Sequence, residues 1–344
     1  MPNTIFDIDA IAPLDKANAL PPAERRLQIA VDSAATGRNP QARIIKLIEA
    51  TESSDLKALS HNTRMKLLTG LRPADPDAEP GHDAMLARMK VYSTLELPEA
   101  FIDQSRDLGT RIARHFFSKQ GWALDKAWGG KSDDDRLDTV IELLHAYGHE
   151  SGFIPPGRIE NECVPPDANN RILGAQYDAN ADNLWLNSHE TAGWNDPVEV
   201  LATSAHEATH KLQRDMATLL VVEQRPDLAG QESAEKALFQ TNDERIAAWY
   251  FFDNLRFGHI GSDVHEIGYK FQPLEQHARL VEQAVKQTLN RNLVLGLEDG
   301  LITGVTADDL SALGIDPDNI RGDAPKSAPG VPRRDQNLPN RRFG

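Results

Sequence analysis

Apolar residues recur at three- and four-residue steps through most of this chain, the spacing that lines them up on one face of a helix. PPAERRLQIAVDSAA opens on two prolines, which suit a helix's first turn. NPQARIIKLIEAT repeats the pattern with Ile44, Ile45, Leu47 and Ile48. DLKALSHNTRMKLLTGL reads as one helix, stopped at Gly70. RPADPDAEPGHD reads as loop, after which AMLARMKVYSTL and AFIDQSRDLGTRIARHFFSKQG resume the helical period. These runs predict an α-helical N-terminal region over residues 1–120, and no catalytic spacing occurs in it.

The pattern changes after Trp122. KSDDDRLDTVIELLHAYGHE reads as a helix whose first-turn acids favour the dipole. GRIENECVPP, RILGAQYDA and DNLWLNS are short strand-type runs broken by Pro, Asn and Asp. A long helix follows Pro197, and two more, ERIAAWYFFDNLRF and PLEQHARLVEQAVKQTLNRNLV, lie beyond a polar stretch around Gly230. The expected organisation is α+β, with a second domain over 121–295. A C-terminal extension over 296–344 loses periodicity and ends in a disordered segment. From Asp323 onward, Lys326, Arg333, Arg334, Arg341 and Arg342 stand against Asp323 and Asp335. That segment reads as a solvated tail, or as an address for docking to secretion or delivery machinery.

At 344 residues and 40% hydrophobic, the chain can bury a full core. Its 37 Lys+Arg against 52 Asp+Glu leave −15, a sign that repels phosphate backbones, so nucleic acid is not an expected partner. Cys163 is the single cysteine, which excludes an internal disulfide and a thiolate zinc site. The N-terminus lacks the basic and continuous apolar segments of a signal peptide, and no run is long enough to span a bilayer. The expectation is a soluble chain, cytoplasmic in the producing cell, with signal-independent export left open.

His206-Glu207-Ala208-Thr209-His210 changes this picture most. Histidines at i and i+4 lie one turn apart on one helix face, so both imidazoles reach one metal ion. Glu207, about 100° round the helix, can touch a water at that ion without being a ligand. Val198, Leu201, Ala202, Ala205, Leu212, Met216 and Leu219 make the helix largely apolar, which predicts a core element. Buried histidines and glutamate need partners to offset desolvation, and a metal supplies them. A catalytic zinc takes three protein ligands. Glu275 and Glu244 are the main candidates for the third, with His265, Glu266, His277 and Glu282 behind them. Gln213 shares the histidine face, where it either orients a ligand or is a buried amide bonded to backbone. Tyr269 and His265 precede the Pro273 helix and are candidates to donate to an oxyanion.

HEATHKLQ, with YDANADNLWLNS before it and WYFFDNLRF and YKFQPLEQHARL after it, resembles the zincin metallopeptidases of the gluzincin type. The similarity is greatest to bacterial proteins with a HExxHxxQ helix and a later Tyr-x-x-Gln-Pro-x-Glu-x-x-Ala segment, and covers roughly residues 140–290. It implies a short twisted sheet over an active-site helix, with Glu275 as third ligand and DNLWLNS as the edge strand beside the cleft. The implied function is zinc-dependent hydrolysis of a peptide bond in a protein or peptide substrate, with a bacterial effector or toxin as one setting. A zinc hydrolase acting on a non-peptide amide such as a cell-wall crosslink uses the same ligands. A catalytically dead zincin serving as an interaction or delivery protein is the third reading, and an intact Glu207 argues against it.

Overall fold

The structure is a computed structural model. It describes Ile8 and residues 22–298, apart from 37, 76–77, 79, 121–127, 169, 225–238 and 262–264. The disordered segment, the basic tail and the polar stretch around Gly230 expected from the sequence lie outside the described residues, as does the change of pattern at Trp122. The chain divides into two units, Met1–Leu289 and Asn290–Gly344, and the helix and sheet packing is that of the first.

From residue 22 to 120 the described residues form α1 (Pro22–Ala35), α2 (Pro40–Ala50), α3 (Ser53–Lys57), α4 (His61–Gly70), α5 (His82–Tyr92) and α6 (Glu99–Gln120). The run expected as one helix from Asp55 to Leu71 is two, because Ser60 caps α4 instead of continuing α3. Its Oγ accepts from the Thr63 N–H, and its own N–H donates to Glu24 at 2.7 Å. Gly70 is the last helical residue and not a left-handed stop. A Cβ there would lie 2.9 Å from Ile44 Cγ1, so the glycine lets α4 pack closely on α2.

Helix α7 (Asp133–Ser151) is opened by Ser132 and Asp135, which bond each other's backbone N–H in a capping box. Strands β1 (Arg158–Glu162), β2 (Ala175–Asp178) and β3 (Asn183–Asn187) come next, then α8 (Pro197–Gln224), α9 (Asn242–Asp253), α10 (Glu266–Lys270) and α11 (Pro273–Glu298). The fold is therefore mostly helical with one small sheet, in the α+β class.

The strand order is β1-β3-β2, with β1 parallel and β2 antiparallel to β3. This corrects the expectation for DNLWLNS: β3 is the central strand, and β2 is the edge beside α8. The polar run RIENE gave no sign that it would pair along the far side of β3. Leu184 and Leu186 of β3 are buried, and the sheet packs on α8. Helix α8 is a core element as its pattern predicts; of its expected apolar residues only Leu219 stays half-exposed.

Two close contacts lock the helices together. Gly109 of α6 meets α11 so tightly that a Cβ would lie 2.6 Å from the Val281 carbonyl and 2.8 Å from Ala284 Cβ. Asp253, at the end of α9, is fully buried against the N-terminal helices. Arg72 Nε donates to its Oδ1 at 2.9 Å, Arg88 Nη1 and the Tyr92 hydroxyl donate to its Oδ2, and Arg88 Nη2 donates to the Leu68 carbonyl. The Arg72 guanidinium also lies over the Phe257 ring at 4.6 Å and the Trp249 ring at 5.2 Å. Burial disfavours the charged Asp253, but Arg88 and Arg72 outweigh it and hold its carboxyl below the usual range.

Asp253→Ala leaves two buried guanidiniums without their counter-ion and should cost about 3–5 kcal/mol, read by urea denaturation. Because the carboxyl is depressed in the folded state, its contribution is present above the ordinary Asp pKa and disappears as pH falls below it. A variant as stable as the parent would show that Asp253 does not clamp the two halves.

Candidate metal centre

Helix α8 places His206 and His210 one turn apart, with ring centroids 5.0 Å from each other. The first turn of α11 delivers Glu275 between them: Oε2 lies 3.5 Å from His206 Nε2, and Oε1 lies 3.4 Å from His210 Nε2. Glu275 is buried, and its Oε2 has no hydrogen-bond partner. A tetrahedral ion with bonds of about 2.0–2.2 Å, as zinc makes to nitrogen and oxygen, sets its ligands about 3.3–3.6 Å apart. The separations match that spacing, so the three side chains could hold a metal ion.

The second partners of each ring fix which nitrogen faces the centre. His206 Nδ1 bonds Glu282 Oε2 at 2.8 Å, and His210 Nδ1 lies 2.9 Å from Gln213 Oε1. Gln213 Nε2 donates to the Leu274 carbonyl at 2.7 Å, so its oxygen must be the acceptor and His210 the donor. Both imidazoles are thereby held with Nδ1 as the donor to Glu282 or Gln213 and with Nε2 turned toward Glu275. Gln213 thus bonds His210 at one end and backbone at the other.

The remaining candidates separate on their partners. Glu244 is the third helical residue of α9, where its Oε2 accepts from the Gln240 and Thr241 N–H groups in a capping box, so its carboxylate is committed to the helix end. His265 is exposed and caps α10, its Nδ1 accepting from the Gly268 N–H at 2.9 Å. His277 is stacked on Phe251 and buried, and burial pushes its pKa down to about 3. Glu266 opens α10. Glu282 orients His206 rather than joining the centre.

Tyr269 is half-buried, and burial together with the nearby Glu275 carboxylate holds its phenol well above the ordinary value, so it stays a donor. Glu207 Oε2 accepts from the Tyr177 N–H at 2.9 Å, which sets the carboxylate between the histidine pair and the outer edge of β2. His259 carried no signal in the sequence. It lies at the rim, where partial burial lowers its pKa and Glu275 and His210 are its charged neighbours.

Gln272 explains why the Gln-Pro-x-Glu segment arrives where it does. Its Oε1 accepts from Asn254 Nδ2 and the Ile260 N–H, both at 2.8 Å, and its Nε2 donates to the Ile260 carbonyl at 2.8 Å. Pro273 then starts α11 at a fixed point, and Glu275 falls in its first turn.

No family model, characterised protein or solved structure matches this chain. What remains is the donor set, His206, His210 and Glu275, which could hold a metal ion. One other group of the described residues combines ligand types, His115, His149 and Glu150. There both Nδ1 atoms sit on Glu150 Oε1, at 2.8 and 3.1 Å, while Arg111 Nε holds Oε2 at 3.1 Å. These are hydrogen-bond lengths, and the Arg111 cation already sits on the carboxylate, so the group crosslinks α6 and α7.

Glu275→Ala should lower the affinity for a divalent metal by orders of magnitude, and Glu282→Ala by about 10–100-fold. Glu244→Ala should leave affinity intact and cost about 1 kcal/mol of stability as a lost cap. Metal analysis and melting curves read both, and metal loss in the Glu244 variant alone would move the centre. The pH dependence of metal binding is a separate expectation. Burial lowers the His206 pKa, but the neighbouring Glu275 and Glu282 carboxylates outweigh it and raise it to about 10. A proton thus occupies the metal-free centre at neutral pH and must leave when metal binds. Affinity should rise with pH, and calorimetry in buffers of different ionisation heat should detect proton release; a pH-independent affinity would contradict it.

Proposed function

We propose that the chain is a zinc-dependent hydrolase of the gluzincin type and that its bond is a peptide bond. The single observation that carries this is the pair of Nε2 atoms facing the buried Glu275 carboxylate, with Glu207 on the same helix outside that group. His206, His210 and Glu275 would hold the ion, with a summed ligand charge of −1 that leaves the centre electrophilic. Zinc in such a site supplies a Lewis acid and brings the pKa of a water toward about 7.

The chain's own groups do the remainder. Glu207 takes the proton of the attacking water on its carboxylate and returns it to the leaving amine. Tyr269 keeps its proton and is placed to donate to developing negative charge near Glu275. The outer side of β2 offers a strand edge beside Glu207 on which an extended peptide can lie. This feature favours a peptide over a compact amide substrate. The short sheet over α8 is the zincin-like element of this reading. No helix of the described residues is long and apolar enough to cross a membrane, and delivery of the enzyme to a target as an effector would fall to the basic C-terminal segment.

Glu207→Gln should retain metal and fold and lose about 10²–10⁴ in hydrolysis rate on a protein substrate such as casein. Full activity in that variant would place the base elsewhere, and an inactive wild-type chain loaded with zinc would remove the hydrolytic reading.

A further inference from the structure

A groove of about 400 Å³ opens beside the metal centre, between the segment joining α5 to α6 and the start of α11. Its lining contains Lys57, Arg106, Lys270 and Arg279 against one acid, Glu96. In a chain of net charge −15 that concentration of cations runs against the whole. The floor is apolar, formed by Leu95, Leu97 and Phe271, and Phe271 keeps 42% of its surface exposed. Lys57 pairs with Glu96 at 2.8 Å and Arg106 with Asp103 at 3.6 Å, but all four side chains are largely exposed, and such pairs exchange readily for another carboxylate.

Arg279 connects the groove to the centre. It follows Glu275 by one helical turn, its Nε lies 3.9 Å from the same Oε2 that has no hydrogen-bond partner, and Nε itself has none. The groove therefore begins one side chain away from the ligand set.

We propose that this groove binds an acidic, apolar-interleaved segment of the protein substrate, next to the bond that is cut. The inference rests on the hydrolytic reading for its role as a substrate site. Carboxylates would meet the Lys57, Arg106, Lys270 and Arg279 rim while aliphatic side chains cover Leu95, Leu97 and Phe271. A polynucleotide meets the rim equally well but not the apolar floor, and the acidic body repels a long polyanion.

The test uses the full-length Glu207→Gln chain and a fluorescein-labelled peptide of alternating Glu and Leu, with Gln/Leu and Lys/Leu counterparts, read by anisotropy. The Glu/Leu peptide should bind, lose affinity with added salt, and bind about tenfold more weakly to a further Lys57→Glu/Arg106→Glu variant whose metal content and melting temperature are unchanged. Both positions are exposed; Lys57→Gln/Arg106→Gln should give a smaller loss in the same direction if the reversal fails to fold. No binding of the Glu/Leu peptide, equal binding of the Gln/Leu peptide, or no effect of either charge change would overturn the groove. Charge-dependent binding with no cleavage by the wild-type chain would keep the groove and remove the hydrolysis. Cleavage of Glu/Leu and Gln/Leu peptides at equal kcat/KM would do the reverse.

Discussion

The buried carboxylate of Asp253 ties the molecule together. It is the last residue of α9, and it holds Arg72, just past α4, together with Arg88 and Tyr92 of α5. The chain runs on from it toward the metal centre: Asn254, Ile260 and Gln272 bonded to one another, then Pro273 and Glu275. An ion cluster of this kind is costly to bury, and its value lies in defining one arrangement. Here that arrangement fixes where α11 begins, and so where the third ligand stands relative to α8.

The N-terminal helices, which carry no catalytic spacing, thus act on the site through packing. They supply the cations for Asp253, and α6 supplies the surface on which α11 sits. From α8 the same helix is gripped a second time, since Gln213 bonds both His210 and the Leu274 carbonyl. The candidate donor set is therefore built from two helices fastened to each other beside the histidines and fastened to the rest behind them.

Much of this was legible in the sequence because periodicity and spacing are local. The helices, the three strand runs and the His206–His210 pair arise from intervals of two, three and four residues. Glu275 was narrowed only by resemblance, and Gln272 shows why the Gln-Pro-x-Glu segment has the form it has. Other features depend on partners distant in sequence and left no local trace. The placement of β3 between β1 and β2 reflects pairing with RIENE, a run with no apolar alternation. Gly70 looked like a stop because Ile44, its reason for being small, lies 26 residues away in the numbering. Glu282 looked like a spare ligand until His206 Nδ1 was seen to face it. His265 and Glu244 looked like site residues because cap geometry also favours those side chains at helix starts.

Gly109 has a consequence for how this protein can change. The Val281 carbonyl and Ala284 rest directly on the backbone of α6, with Glu282 between them in sequence and Glu275 less than two turns back. Even a single methyl at position 109 would act as a wedge under α11, and the displacement would be passed to the two carboxylates that hold and orient the histidines. A residue far from the reacting atoms, with no polar group of its own, thereby sets the tolerance of the whole ligand geometry.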